Sequence, residues 1–550
     1  MRRAKRFWRA SALVLALALV AAACGDDGSD EGAGGGSIVV GAEEFPSVLN
    51  PVSFDGGDTS WTAWMVGPAL ARGYRLLPDL TYEPWLFEDD CTLDSEEPFT
   101  VSCRVRDDAR WSDGTQLTAE DFEFTYQTIA GIVDPDFEPL TTIGYEDITT
   151  FEVTSPTEFT MVFGQPFVAY RDLWASTVSA VLPKHVLEGE DFNTVWNSCI
   201  CDPESGDPIA SGAFLVESFR PDEELRLTKN DEYWDTEAKV DEVIFVPTPD
   251  TESEINNLDG DDVQVIYPQA TTDLAERLRG IDGATFDTAV GASWEHLDLL
   301  VTTPGLDDPV VRQAIATALP RQQVVDTVVR PINDDADVLN NSIYVTTQDE
   351  YVPNWDIYPA EGDVDAANRL LDDAGWTRTG DAVRSKDGVE LRFTIGTTAG
   401  DAGREETEQI IQEQLREIGI ELTINNAGDD FFDRLDAGEY PMAIYAFDAS
   451  PDPLVGVNDS YVTDAPLNAT RQSNEEVDAL IAESNIEVDA DARAAKLNAA
   501  DRVMAEDVVS VIPLYQKPAV LAYRTSVSGL EVNVTIDGFT WNIEEWERTG

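Results

Sequence analysis

Alternating runs and amphipathic stretches succeed one another along this chain without an internal repeat. Ser37–Val40 opens as a strand, and Glu97–Val105 alternates at period two, as a half-buried strand does. Trp111-Ser-Asp-Gly-Thr is turn chemistry: Ser112 and Asp113 bond nearby backbone, and Gly114 permits positive φ. Thr118 then caps a helix whose first turn carries Glu120 and Asp121 at the positive end of its dipole. Phe122, Phe124 and Tyr126 on it are assigned to the core. Further strands are predicted at 158–163, 213–219, 224–228, 242–246, 263–266, 391–395, 420–424, 519–523 and 527–534. Helices are predicted over 308–329, broken in two by Pro320, and over 363–374, stopped by Gly375. Three more follow at 404–418, 474–486 and 489–506. In the first of these Ile410, Ile411, Leu415 and Ile418 face inward. Strands and helices mix throughout, so the class is α/β, mixed with α+β.

The 550 residues are 43% hydrophobic, enough for a large core and for about three to four units at ~150 residues each. A mean hydropathy of -0.23 excludes a polytopic membrane protein. Charge changes the picture more. Asp and Glu number 106 against 36 Lys and Arg, a net charge of -70 that repels phosphate backbones, so no nucleic-acid partner is expected. Seven of the basic residues are Lys, and such an acid-rich, Lys-poor surface suits solubility at high salt.

The N-terminus reads as an address. Arg2, Arg3, Lys5, Arg6 and Arg9 precede the 14-residue apolar run 10–23, shorter than the ~20 residues that span a bilayer. This is a secretory signal pattern over 1–23. Ala21-Ala22-Ala23-Cys24 resembles a bacterial lipobox, with Ala21 where Leu is usual. Cys24 is therefore the expected lipidation site, anchoring the protein to the outer face of the cell membrane. Residues 24–37, rich in Gly, Ser and acids, read as a flexible tether.

Four Cys remain, Cys91, Cys103, Cys199 and Cys201, and an even number in an exported chain suggests disulfides with three possible pairings. Cys91 and Cys103 flank a strand-turn-strand pattern and suit a hairpin-closing bridge; Cys199-Ile-Cys201 would then close a small loop. The spacings match no zinc signature, and His185 and His296 stand far apart, so no metal is assigned. The chain lacks a nucleophile elbow, a zincin motif, a P-loop and a dinucleotide fingerprint. No cofactor and no enzymatic activity are expected. With so many acids, a carboxylate pair carries no information about glycoside hydrolysis.

The motif that stands out is Trp111-Ser-Asp-Gly-Thr-Gln-Leu-Thr-Ala-Glu-Asp-Phe-Glu-Phe-Thr-Tyr126. Ala210-Ser-Gly-Ala-Phe with Leu227-Thr-Lys-Asn-Asp-Glu-Tyr-Trp234 follows, then Asp308–Ile315, Ala367–Trp376, Glu413–Ile420 and Ile512–Tyr515. In this order the blocks resemble the extracellular solute-binding proteins of family 5, the peptide- and nickel-type receptors of ABC importers. Ala213 departs from the family's usual Pro. The resemblance implies a two-lobed periplasmic-binding-protein clamp of type II, large cluster C, with an extra third domain. Carried onto this chain, lobe I combines 38–82, 208–291 and 518–550, the extra domain is 83–207, and lobe II is 292–517. It further implies a monomer that captures oligopeptides or dipeptides by lobe closure and delivers them to an ABC permease complex. The alternatives are the same role for an oligosaccharide or other small solute, a metal-chelate receptor and, remotely, a secreted hydrolase.

In peptide-binding members an Asp of lobe II takes the ligand's α-ammonium, and the matching stretch Ala443–Pro453 puts Asp448 in that role. The alternative is that Asp448 and Asp452 only cap the Pro-rich turn. Tyr445 stands where the family often carries Trp. Trp61 and Trp64, in a loop after the first strands, and Trp294 and Tyr267, near the hinge, are the other candidate ligand contacts, with ordinary core filling as the alternative for each.

Overall fold

A computed structural model describes residues 36–549 except Asp58, Asp381 and Asp429. The signal segment, Cys24 and most of the tether lie outside the described residues. Among the described residues no helix is long and apolar enough to cross a membrane.

One ten-stranded sheet organises the chain. Its strands run, in spatial order, Glu421–Ile424, Arg392–Gly396, Met442–Asp448, Ala284–Leu299, Val511–Arg524, Val265–Ile266, Ser37–Ala42, Glu242–Pro247, Glu224–Lys229 and Phe214–Arg220. The centre is the antiparallel pair Ala284–Leu299 and Val511–Arg524, 16 and 14 residues long. One end of the pair joins Met442–Asp448, the other joins Val265–Ile266. The two long strands therefore tie the two halves of the sheet together.

This pair differs from the sequence expectation. A strand was predicted only at 519–523, and Ala284–Leu299 was not predicted as an element. For Val511–Arg524 the reason is proline: Pro513 and Pro518 cannot donate to a ladder, which argues against a central strand. The structure seats both beside interruptions. Pro518 faces Val290 and Pro513 faces His296, and the register shifts between Val290 and Trp294 and between Glu295 and His296. At the first shift the backbones close up: a Cβ on Gly291 would lie 2.2 Å from the Lys517 carbonyl oxygen, so only glycine fits. The strand expected at 527–534 shrinks to Val527–Ser528, paired with Glu547–Arg548. The following coil is held by Asn533, whose side chain donates to the Leu76 carbonyl at 2.7 Å.

A second, four-stranded antiparallel sheet is built from Thr92–Glu96, Phe99–Arg104, Glu158–Phe163 and Ile148–Ser155. Helix Ala119–Ile129 contacts it and starts as its sequence dictates. Thr118 accepts from Glu120 N–H, and Asp121 Oδ2 accepts from Thr118 N–H at 2.8 Å, a reciprocal cap. Phe87, Phe122, Phe159 and Trp174 stack and cross beneath it, all buried. Cys91 is bonded to Cys103 and Cys199 to Cys201. The C-terminal segment returns to the N-terminal one: Arg72 pairs with Asp537, and Arg75 with Glu544 at 2.6 Å.

Candidate functional site

Two cavities open where the central strand pair is interrupted. They share a wall of Trp64, Tyr267, Ala292, Ser293, Asp448 and Val534. Their empty volumes are about 830 Å³ and 1020 Å³. A third cavity adjoins the first at Gln269, Ala270, Lys517 and Pro518, and a fourth adjoins the second at Leu80 and Pro451. The four make one groove lined by residues far apart in sequence.

One wall is aromatic. Trp61 and Trp64 stand on helix Ser60–Val66, rather than in a loop, and the spacing of three puts both on one side of it. Thr59 caps that helix by accepting from Trp61 N–H. The indoles meet edge to face at 4.9 Å, and Trp64 meets Tyr267 at 5.2 Å. Tyr267 stacks on Phe539 at 5.2 Å, and Trp64 Nε1 donates to the Ile536 carbonyl at 3.1 Å. Gly538, at φ 61, makes room: a Cβ there would lie 2.1 Å from Trp64 Nε1. Trp61 is only 4% exposed and mainly backs Trp64.

The facing wall is polar. Ser293 Oγ donates to Asp448 Oδ1, an exposed carboxylate at the end of its strand. The Pro-rich turn beyond is capped by Asp452, which accepts from Leu454 N–H at 3.2 Å. Further along, Glu295 is buried, and Arg404 donates to it at 2.9 and 3.0 Å. Burial pushes the Glu295 carboxyl up, and Arg404 and then Lys517 pull it back. Lys517 Nζ stands 3.5 Å from Glu295 and 3.7 Å from Asp401.

Of the six predicted ligand contacts, the structure brings Trp61, Trp64, Tyr267 and Asp448 together. Tyr445 and Trp294 are corrections. Side chains alternate along a strand, so Tyr445, three residues before Asp448, points to the other face. There its hydroxyl donates to Asp298 Oδ2 at 2.6 Å, and its ring lies 4.3 Å from that of His296. Trp294 follows Ser293 and likewise points away, packed 5.6 Å from Phe447 and 3% exposed. Burial holds His296 down at about 3, so it is neutral, and raises Asp298 to about 7. Ser293 and Lys517 were not foreseen. The one signal available was parity: residues sharing a face with Asp448 or its strand partner must keep even spacing. Among the described residues no three His, Cys, Asp or Glu are gathered for a metal ion.

Comparison with known proteins gives this geometry a context. The family of bacterial extracellular solute-binding proteins, family 5 (middle region), matches residues 81–468. This chain belongs to that family. Family 5 proteins are the solute-binding components of ABC importers, and the cleft corresponds to such a role. The oligopeptide-binding protein OppA of Mycobacterium tuberculosis is 26% identical over 506 residues, covering 90% of this chain and 82% of the relative. The solved periplasmic EDTA-binding protein EppA superposes with a TM-score of 0.84 at 22% identity, covering 94% of this chain and 97% of its own. The oligopeptide-binding protein AppA of Bacillus subtilis, solved with a nonapeptide, gives 0.71 at 22% identity, covering 94% and 100%. These likenesses establish the fold of the family 5 chain as a mixed α/β periplasmic-binding-protein clamp. The relatives are named for binding and not for catalysis.

Proposed function

We propose that this family 5 protein captures peptides outside the cell membrane and hands them to an ABC permease, held near the membrane by acylated Cys24. The observation that carries the peptide reading is Asp448, an exposed carboxylate oriented by Ser293 in the wall shared by two cavities. An ammonium leaving water needs such a partner, and charge-assisted bonds of this kind are the strong ones. The aromatic wall opposite supplies apolar surface with little side-chain preference. Lobe I is taken as 38–82, 208–291 and 518–550, the extra domain as 83–207, and lobe II as 292–517. Closure about the interrupted strands Ala284–Leu299 and Val511–Arg524 would bury the ligand.

Native mass spectrometry of protein purified without refolding, followed by calorimetry with peptide pools, tests the reading. Bound masses matching peptides, lost in Asp448→Ala, support it. No retention of any peptide pool overturns it. The half-buried indole of Trp64, backed by Trp61, favours a second reading, an oligosaccharide stacked on that wall. Hexose-spaced bound masses that persist in Asp448→Ala would select it.

A further inference from the structure

We propose that the Cys199–Cys201 bridge is a thiol-exchange site, which a small neutral or cationic thiol opens at Cys199 while the Cys91–Cys103 bridge stays closed.

The two bridges differ in how the fold holds them. Thr92 pairs with Ser102, so the same ladder sets Cys91 opposite Cys103. Cys103 pairs on its other side with Phe159, and Cys91 N–H donates to the Tyr74 hydroxyl at 2.9 Å. Both are buried, 4% and 3% exposed, so a thiol in water has no path to either sulfur. If that bridge were opened, the sheet would still present the two thiols to each other. Cys199 and Cys201 are separated by Ile200 alone. A bridge around one residue closes a ring too small to relax, and strained or exposed disulfides are the more easily reduced ones. Cys199 is half-buried and Cys201 is buried, which leaves Cys199 as the sulfur open to attack.

The loop does not depend on this bridge for its shape. Ile209 N–H donates to the Ile200 carbonyl at 3.1 Å, and Asp202 N–H to the Asp207 carbonyl at 2.9 Å. Trp196 Nε1 donates to the Cys201 carbonyl at 2.8 Å, and Ile200 is fully buried between the two cysteines. Opening the bridge breaks none of these. Among the described residues, none of those lining the groove lies in 190–209, so the exchange does not depend on what the groove binds.

In the first step an external thiolate attacks Cys199 Sγ. A mixed disulfide forms there, the bond to Cys201 breaks, and its electron pair leaves on Cys201 Sγ, which takes a proton from water. A second external thiolate then attacks the external sulfur of the mixed disulfide. That releases Cys199 as a thiol, so two external thiols are oxidised to their disulfide and one protein disulfide is reduced. Charge selects the thiol. Asp202, Glu204 and Asp207 follow the bridge, and residues 191–210 hold no Lys or Arg. Such a surface repels an anionic thiol and attracts a cationic one, and salt screens both effects.

The test equilibrates the mature chain with graded cysteamine–cystamine mixtures, traps free thiols by alkylation and maps them by mass spectrometry. The untreated chain should hold both bridges closed. Cys199 and Cys201 should become free at a thiol-to-disulfide ratio at least about tenfold lower than Cys91 and Cys103 require. The cysteamine adduct should sit on Cys199. Added salt should slow opening by cysteamine and speed opening by glutathione, an anionic thiol. Opening of both bridges together, earlier opening of Cys91–Cys103, an adduct on Cys201, or free Cys199 and Cys201 in the untreated chain overturns the proposal. A salt effect of the same sign for both thiols overturns the charge preference.

Discussion

Met442–Asp448 and its partner stretch Ser293–Leu299 present two faces that differ in nearly every physical respect. The groove face carries Ala446, Asp448, Ser293 and Glu295: small or charged groups, with Asp448 in water and bonded to one hydroxyl. The opposite face carries Tyr445, Phe447, Trp294, His296 and Asp298, whose rings pack on one another; Tyr445 donates to Asp298 Oδ2, while both His296 ring nitrogens and Asp298 Oδ1 are buried without a hydrogen-bond partner. Aromatic and acidic residues alternate along both strands, so local composition cannot tell which belong to which face. Parity separates them, because a strand turns each successive side chain over. A groove needs polar groups that can exchange water for ligand, whereas burial keeps the polar groups of the opposite face uncharged, His296 neutral and Asp298 raised to about 7.

That contrast can be broken in either direction. The largest effect belongs to the buried face. Trp294→Ala should cost about 3–5 kcal/mol of stability, as emptying a buried aromatic site does. Urea unfolding measures it, and the folded fraction should bind ligand with native affinity; weakened binding at unchanged stability would place Trp294 in the groove. Next comes Asp448→Ala. Removing one partner of a buried charge pair costs about 2–5 kcal/mol, so affinity for a peptide should fall roughly 30-fold or more. Its unfolding free energy should stay within about 0.5 kcal/mol, since the side chain is exposed.

The buried face also carries a pH signature. Asp298 titrates at about 7 in the fold, raised by burial from 3.8. The folded state holds a proton that the unfolded chain has released, so this group's contribution is full below about pH 4 and is lost as pH rises through 7. Glu408, at about 7, and Glu254, at about 9, are raised by burial with the same sign. His296, held down by burial, acts with the opposite sign, but the three raised carboxyls outweigh it, so the protein should be more stable at pH 5 than at pH 8, and Asp298→Asn should shallow that slope. Melting temperatures across the range decide it, and an unchanged slope in Asp298→Asn would count against the assignment.

Local rules were legible in the sequence where they acted alone. The cap at Thr118, the strand over Glu158–Phe163 and the helix Val364–Asp373 all follow from nearby residues. The full length of Val511–Arg524 did not, because Pro513 and Pro518 argue against a central strand and the sheet seats them beside register shifts; Ala284–Leu299 did not either, and it holds no proline. The site divides the same way. Asp448, Trp61, Trp64 and Tyr267 could be nominated from motif position, and the structure gathers them at one groove. Tyr445, from its family position, and Trp294, from its nearness to the hinge, were nominated without regard to parity. Ser293 and Lys517 carried no local pattern at all, since their placement depends on which strands become neighbours.

The smallest prediction is also the sharpest test of the groove face. Ser293 lies directly opposite Asp448, and its hydroxyl donates to Asp448 Oδ1. Ser293→Ala removes that donor but leaves the carboxylate its charge and its second oxygen. A neutral donor of this kind contributes about 0.5–1.5 kcal/mol, so peptide affinity should fall only about two- to tenfold, with no change in melting temperature. The direction carries the argument. If Ser293 orients Asp448 for an ammonium, losing it lets the carboxylate rotate and affinity drops. If Ser293 merely competes with the ligand for Oδ1, its removal frees an acceptor and affinity rises. Calorimetry on Ser293→Ala separates the two by the sign of the change, and in the double variant with Asp448→Ala the effect should vanish, which shows that Ser293 acts through Asp448.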